Sequence, residues 1–206
     1  MTGPPYLVEP LTDAGIADAA RLLTGAFLDD PLWTWLIPDR ERRRALHPIS
    51  AIASVRWGLL AAETYVTVPP AGVAIWVPPA AHNIDLDPDG SRTGWSEWER
   101  SAGPEIISKF EAMVDVQRPA REQAHDGPGW YLAWLGVLPD AQRTGAGSAL
   151  LRHMFRRTDA EGMPCLLETE NEANVKYYQR HGFRLMHEGV IPLGGPPFWT
   201  MKRDPP

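Results

Sequence analysis

One stretch constrains this chain more than any other: Leu-Gly-Val-Leu-Pro-Asp-Ala-Gln-Arg-Thr-Gly-Ala-Gly-Ser, from Leu135 to Ser148. The apolar, aromatic run that leads into it, residues 130 to 137, reads as a buried strand. Beyond it Leu150, Leu151, Met154 and Phe155 recur at helical spacing. A strand therefore enters a Gly-rich turn, and the turn opens a helix. The first turn of a helix carries amides without acceptors and a partial positive charge. Gly145 and Gly147 remove side chains that would hold an anion away from those donors. The expected ligand is a phosphate or pyrophosphate, seated on the backbone N–H groups of residues 143 to 148.

Two other phosphate loops are excluded. A nucleotide P-loop places Lys and then Ser or Thr after its last glycine, where this chain has Ser148-Ala149. The dinucleotide fingerprint needs a further glycine that is absent here. What remains, Gln142-x-x-Gly145-x-Gly147, resembles the acyl-CoA pyrophosphate loop of the GNAT superfamily of N-acetyltransferases. A second motif follows at the spacing of that superfamily. The helix stops at Gly162 with Pro164 beyond, and Cys165-Leu166-Leu167-Glu168-Thr169 reads as another buried strand. Asn174, Tyr178 and Gly182-Phe183 then stand where these enzymes carry an Asn-x-x-x-Tyr-like helix ending in Gly-Phe.

The resemblance implies an α/β fold: a central mixed sheet with two splayed parallel strands, flanked by helices. It implies acetyl-CoA as co-substrate. Its pantetheine would run along Leu135, Gly136 and Val137, and its pyrophosphate would sit on Gln142, Arg143, Thr144, Gly145, Ala146, Gly147 and Ser148. Asn174 and Tyr178 would complete the cofactor contacts.

At 206 residues the chain is expected to form a single domain, 1–206, with a sizeable core. A formal net charge of -6 argues against a nucleic-acid partner. Arg40-Glu41-Arg42-Arg43-Arg44 reads as the solvated face of a helix. The single cysteine, Cys165, lies in an apolar strand and is not expected to act as a nucleophile. No signal peptide is expected at the start. The longest apolar run is interrupted by Pro69, Pro70, Pro78 and Pro79, so no membrane span is expected. The six histidines lack the spacing of a zinc site, and no metal is expected. A cytoplasmic monomer or homodimer follows from these readings.

In chain order, residues 6 to 10 read as a first strand, and Thr12 as the cap of a helix through Phe27. Leu32 to Pro38 reads as a hydrophobic connector, with Asp30, Trp33 and Trp35 as candidates to touch substrate. Residues 39 to 63 read as a helical region that Pro48 kinks or breaks. A hairpin follows over residues 64 to 68 and 73 to 77, then a mobile loop from Pro78 to Gly94. Residues 95 to 116 read as helix interrupted at Gly103-Pro104, and 117 to 129 as a polar connector. Residues 183 to 190 and 198 to 202 read as an antiparallel pair.

The layout resembles the puromycin N-acetyltransferase branch of the superfamily through Asp30-Pro31, Val73-Ala74-Ile75-Trp76, Leu167-Glu168-Thr169 and Trp199-x-Met201-x-Arg203. Acetyl transfer to an amine needs orientation, oxyanion stabilisation and a proton for the leaving thiolate. Position in the family assigns the last role to Tyr178 rather than Tyr177; about 100° apart on a helix, the two cannot both face the sulfur. For the base, the central strand offers no carboxylate. Glu168 is the substitute, acting directly or through water, and pairing with an arginine or capping the turn at 169 to 171 is an equal reading of it. Asp29, Asp30 and His125 are expected to orient a cationic amine. The acceptor is expected to be a small-molecule amine. A protein lysine or N-terminal acetyltransferase, and a non-catalytic acyl-CoA sensor, are the alternatives.

Overall fold

The computed structural model describes residues 6–81, 87–125 and 127–206. Seven strands form one sheet: β1 (Leu7–Pro10), β2 (Glu63–Val68), β3 (Gly72–Val77), β4 (Trp130–Val137), β5 (Cys165–Thr169), β6 (Arg184–Val190) and β7 (Pro197–Arg203). Their order across the sheet is β1-β2-β3-β4-β5-β7-β6. All neighbours are antiparallel except β4 and β5. The helices are α1 (Ile16–Phe27), α2 (Pro31–Leu36), α3 (Arg40–Ala61), α4 (Trp95–Ala102), α5 (Pro104–Ala124), α6 (Ala146–Glu161) and α7 (Glu172–Gln179). This is the expected mixed α/β sheet.

Strand β3 explains the layering. Every residue of it is buried, which is what a strand covered on both faces requires. Val73 and Ile75 face a cluster with Leu22, Leu23 and Val55 of α1 and α3. Ala74 and Trp76 face the opposite way, onto Leu150, Leu151 and Met154 of α6. A third cluster joins α2, α4 and α5 to the far end of the sheet through Trp33, Trp98, Ile106, Met113 and Phe198. The functional cavity opens inside this third unit.

Several expectations are corrected. Leu32 to Leu36 belongs to α2, started by Asp30 as N-cap with Pro31 in the first turn. A short 3-10 turn, Asp13–Gly15, stands between Thr12 and α1, and Thr12 makes no side-chain cap. Pro48 lies inside α3, which neither it nor its missing N–H breaks, because Arg43 and His47 before it and Ala51 to Val55 after it are anchored in the interior. Arg43 is itself a correction: it is buried, donating to the carbonyl oxygens of Leu28 (2.5 Å) and Ile37 (2.6 Å) and tying α2 to α3. Residues 117 to 124 are not a connector but the last two turns of α5, which carries Pro119 without stopping. Part of the expected mobile loop, 82 to 86, falls outside the described residues. Its end is a tied turn, in which the Asp87 carboxylate accepts from Thr93 N (2.9 Å) and Oγ1 (2.6 Å).

Candidate active site

The parallel strands form a fork. β4 and β5 pair only at Trp130 with Cys165 and Tyr131 with Leu166. Beyond that point β4 continues to Val137, paired on its other side with β3, and the edge facing β5 is open. Leu138 N donates to Ala71 O on the β3 side at 3.0 Å. Alternation along a strand then turns the Val137 N–H the other way, into the fork. The fork leaves both a backbone edge and a free donor for an extended ligand.

The Gly-rich turn closes the wide end of the fork. Arg143 and Gly145 take left-handed conformations (φ 62° and 101°), and α6 begins directly after. A Cβ at Gly145 would meet nothing within 4 Å, so the residue is needed for its backbone conformation and faces open space. The first helical bond runs from Ala149 N to Gly145 O (2.9 Å), so the amides before it have no helical acceptor. Gly147 has a different reason: a Cβ there would lie 2.7 Å from the Tyr177 hydroxyl, so the glycine lets α7 close onto α6. The Thr144 hydroxyl is held by Ala141 O at 2.6 Å, which fixes the turn before any ligand arrives. A pyrophosphate fits this cradle of unpaired amides.

At the other end of the fork lies a cavity of about 680 Å³. Tyr178 lines it from α7, and burial holds its phenol proton well above the ordinary tyrosine range. Burial, then the Asp30 charge, push the Glu170 carboxyl up to about 7, against a hydrogen bond from Gln117 Nε2 (2.5 Å). Asp30 is pushed up to about 6 by burial, and the amide of Leu32 (3.0 Å) pulls it back only in part. Glu168 is also raised by burial, opposed chiefly by Arg121, whose Nη1 lies 2.8 Å from Oε2. Arg121 in turn stacks 4.2 Å over the Tyr131 ring. Two carboxyls with proton affinities near neutrality, beside a phenol at the mouth of the fork, can take and give protons at working pH.

The structure brings six of the expected residues together at the cavity. Asp30, Trp33, Leu135, Glu168, Asn174 and Tyr178 all line the cavity. Gly136 turns toward α1 instead, where a Cβ would come within 3.1 Å of Leu23 and Ala26. Trp35 is a correction: it does not line the cavity, because its indole N–H donates to Leu193 O (3.2 Å) and Lys109 covers its ring. Asp29 is engaged by Arg40 and Arg43, and His125 bonds Pro128 O, both away from the cavity lining. Several residues of the site escaped the sequence reading, among them Gln117, Arg121 and Glu170 and the aromatic walls Trp98, Phe110 and Trp134. Glu170 stands two residues after Glu168 and so on the same side of an extended chain, and Gln117 and Arg121 stand one helical turn apart. Those spacings were the available signal. Cys165 is inert, its thiol pushed up to about 11 by burial. Among the described residues no group of three His, Cys, Asp or Glu could hold a metal, and no helix is long and apolar enough to cross a membrane.

A family model described as an acetyltransferase (GNAT) domain matches residues 109–185, which span the end of α5, the fork, the Gly-rich turn and α7. The chain is 24% identical over 175 residues to an uncharacterised N-acetyltransferase of Schizosaccharomyces pombe, covering 80% of this chain and 69% of that one. Its fold is similar to a crystal structure described as histone acetyltransferase HPA2 and related acetyltransferase, from Corynebacterium glutamicum. The TM-score is 0.67 with 20% identity, over 98% of each chain. It is similar also to a Drosophila melanogaster polyamine N-acetyltransferase (TM-score 0.64, 12% identity, 97% of this chain and 99% of that one). A GNAT acetyltransferase domain model thus falls on the fork and the Gly-rich turn, within a fold similar to those of solved acetyltransferases. The superfamily uses acetyl-CoA as co-substrate.

Proposed function

We propose that this enzyme moves an acetyl group from acetyl-CoA directly to the amine of a small molecule at the fork between β4 and β5. One observation carries the reading: the unpaired β4 edge joins a Gly-opened helix N-terminus to a cavity holding Tyr178, Glu170 and Asp30. The pyrophosphate sits on the amides of residues 143 to 148, the pantetheine follows Leu135 to Val137, and the Val137 N–H polarises the thioester carbonyl. Tyr178 gives its proton to the departing thiolate. Asp30 orients the incoming ammonium, and Glu170 accepts its proton, because it titrates near neutrality while Glu168 is tied to Arg121.

The acceptor is a small, largely apolar primary amine. Trp33, Trp98, Phe110 and Trp134 supply aromatic walls suited to an apolar body carrying one cation. A polycationic acceptor would need more unpaired carboxylates to replace its water, since Glu168 is already neutralised. The enclosing helices α2, α4 and α5 suit a compact ligand better than a peptide. Thiol release from acetyl-CoA, measured against a panel of aromatic amines, aminoacyl amines, polyamines and peptides, tests this. Turnover with aromatic or aminoacyl amines is the expected result. Turnover confined to polyamines or to peptides would overturn the acceptor assignment, and tight CoA binding with no turnover on any amine would make the chain a sensor.

A further inference from the structure

His181 joins the Gly-rich turn to α7, and its two ring nitrogens have different partners. Nδ1 lies 2.8 Å from the Tyr177 carbonyl oxygen, and Nε2 lies 2.9 Å from the Ser148 hydroxyl. A carbonyl only accepts, so Nδ1 carries the hydrogen and, in the neutral ring, Nε2 is a bare acceptor. The Ser148 hydroxyl must therefore give its own proton to His181. Ser148 is the third residue of α6, and side chains there point back toward the helix N-terminus. In this state Ser148 turns only lone pairs toward the turn, the wrong polarity for an anion.

We infer that binding of the CoA pyrophosphate is coupled to uptake of a proton at His181, relayed through Ser148. The inference rests on the placement of the pyrophosphate on residues 143 to 148. A phosphate oxygen next to Ser148 takes the hydroxyl proton as a hydrogen bond. Nε2 would then face only oxygen lone pairs, unless it gains a proton from solution. The protonated ring satisfies every partner: Nδ1–H to Tyr177 O, Nε2–H to Ser148 Oγ, and Ser148 O–H to the phosphate. The one bond formed is Nε2–H, the buffer acid gives up that proton, and no heavy-atom bond changes.

The Tyr177 ring packs 4.5 Å from the imidazole, and its buried hydroxyl lies over Gly147, where it interacts with the Ser148 hydroxyl. Two cations act on the Tyr177 hydroxyl at this corner, Arg152 of α6 and Arg180, which caps the end of α7. A bound pyrophosphate would offset their charge. Because α7 also carries Tyr178, the same contact ties cofactor loading to the placement of the proposed acid.

Calorimetric titration of the full chain with CoA, in buffers of different ionisation enthalpy and across neutral pH, tests the coupling. The wild type is expected to take up a proton on binding, with affinity falling up to about 10-fold per pH unit on the alkaline side. His181→Gln keeps a polar side chain that does not titrate, and Ser148→Ala cuts the relay while leaving His181 in place. Both should bind CoA more weakly, and the difference in proton uptake between wild type and either variant removes any contribution from the ligand's own phosphate. Uptake in His181→Gln equal to wild type, or wild-type binding that takes up no proton, overturns the inference while leaving the cofactor site standing. Absence of CoA binding by the folded wild type at any pH would remove the cofactor site itself, and the inference with it.

Discussion

Replacing Glu170 by Gln keeps the side chain's shape and its hydrogen bond from Gln117, and removes only its titration. The carboxyl is raised from an ordinary 4.5 to about 7, mainly by burial and secondly by the Asp30 charge. A raised carboxyl means that, between those two values, the folded chain binds more protons than the unfolded one. Its contribution is therefore present below about pH 4.5 and is lost as pH rises through about 7. At 1.36 kcal/mol per unit, the loss is about 3 kcal/mol once the pH is well above 7. Glu170→Gln should thus match wild type in urea unfolding near pH ~5 and exceed it by about 3 kcal/mol near pH ~8.5, a gap of about 6–12 °C in Tm. The same variant should lose about 10²-fold or more in kcat, together with the rising limb of the pH profile near 7. The substitution would then stabilise the fold while disabling the reaction. A stability difference that does not grow with pH would show that Glu170 is ionised and well solvated, and an unchanged rate would remove it as the base.

Tyr178→Phe should lower kcat by about 10²-fold or more while CoA affinity by calorimetry stays within about 2-fold, and equal rates would leave water as the proton donor. Gly145→Ala should destabilise the chain by about 1–2 kcal/mol through its left-handed backbone and weaken CoA binding; undiminished affinity in a folded variant would contradict the pyrophosphate site. Trp33→Ala should raise KM for the amine by an order of magnitude or so through loss of an aromatic wall. Trp35→Ala should leave that KM unchanged, since its indole braces Leu193 outside the cavity, and the reverse pattern would restore the original assignment of Trp35.

The proposed cofactor half of the candidate site was visible in the sequence because it is made of backbone. Gly145, Gly147 and the strand before them announce an unpaired edge and an open helix N-terminus through local conformation, and local conformation is what a sequence pattern encodes. The acceptor half was not, because it is assembled from side chains brought together across long separations. Gln117 reaches Glu170 across 53 residues, and Arg121 reaches Glu168 across 47. The polar stretch from 117 to 124 read as a connector for the same reason. Gln117 and Arg121 of that stretch face a cavity while Glu122 and Gln123 face solvent, and Pro119 stands where a helix would be expected to stop. Arg43 escaped for the converse reason, since a run of arginines looks solvated until three carbonyl oxygens are found around one of them.

Glu168 shows how the two halves meet. Tyr131 is the last β4 residue paired with β5, and two positions past its partner Leu166 comes Glu168. Arg121 of α5 stacks on the Tyr131 ring and pairs with Glu168, so one guanidinium spans both prongs of the fork at the point where they part. With its side chain only 3% exposed, Glu168 depends on that charge, and removing one partner of such a pair costs about 3–5 kcal/mol. A residue under that demand is poorly suited to gain and lose a proton in each turnover. Glu170 is free of it: its side-chain partner is a neutral amide, and the nearby Asp30 charge favours its protonated form. On the proposed mechanism, the carboxyls at the end of β5 and just past it take different tasks because one has an arginine beside it and the other a glutamine.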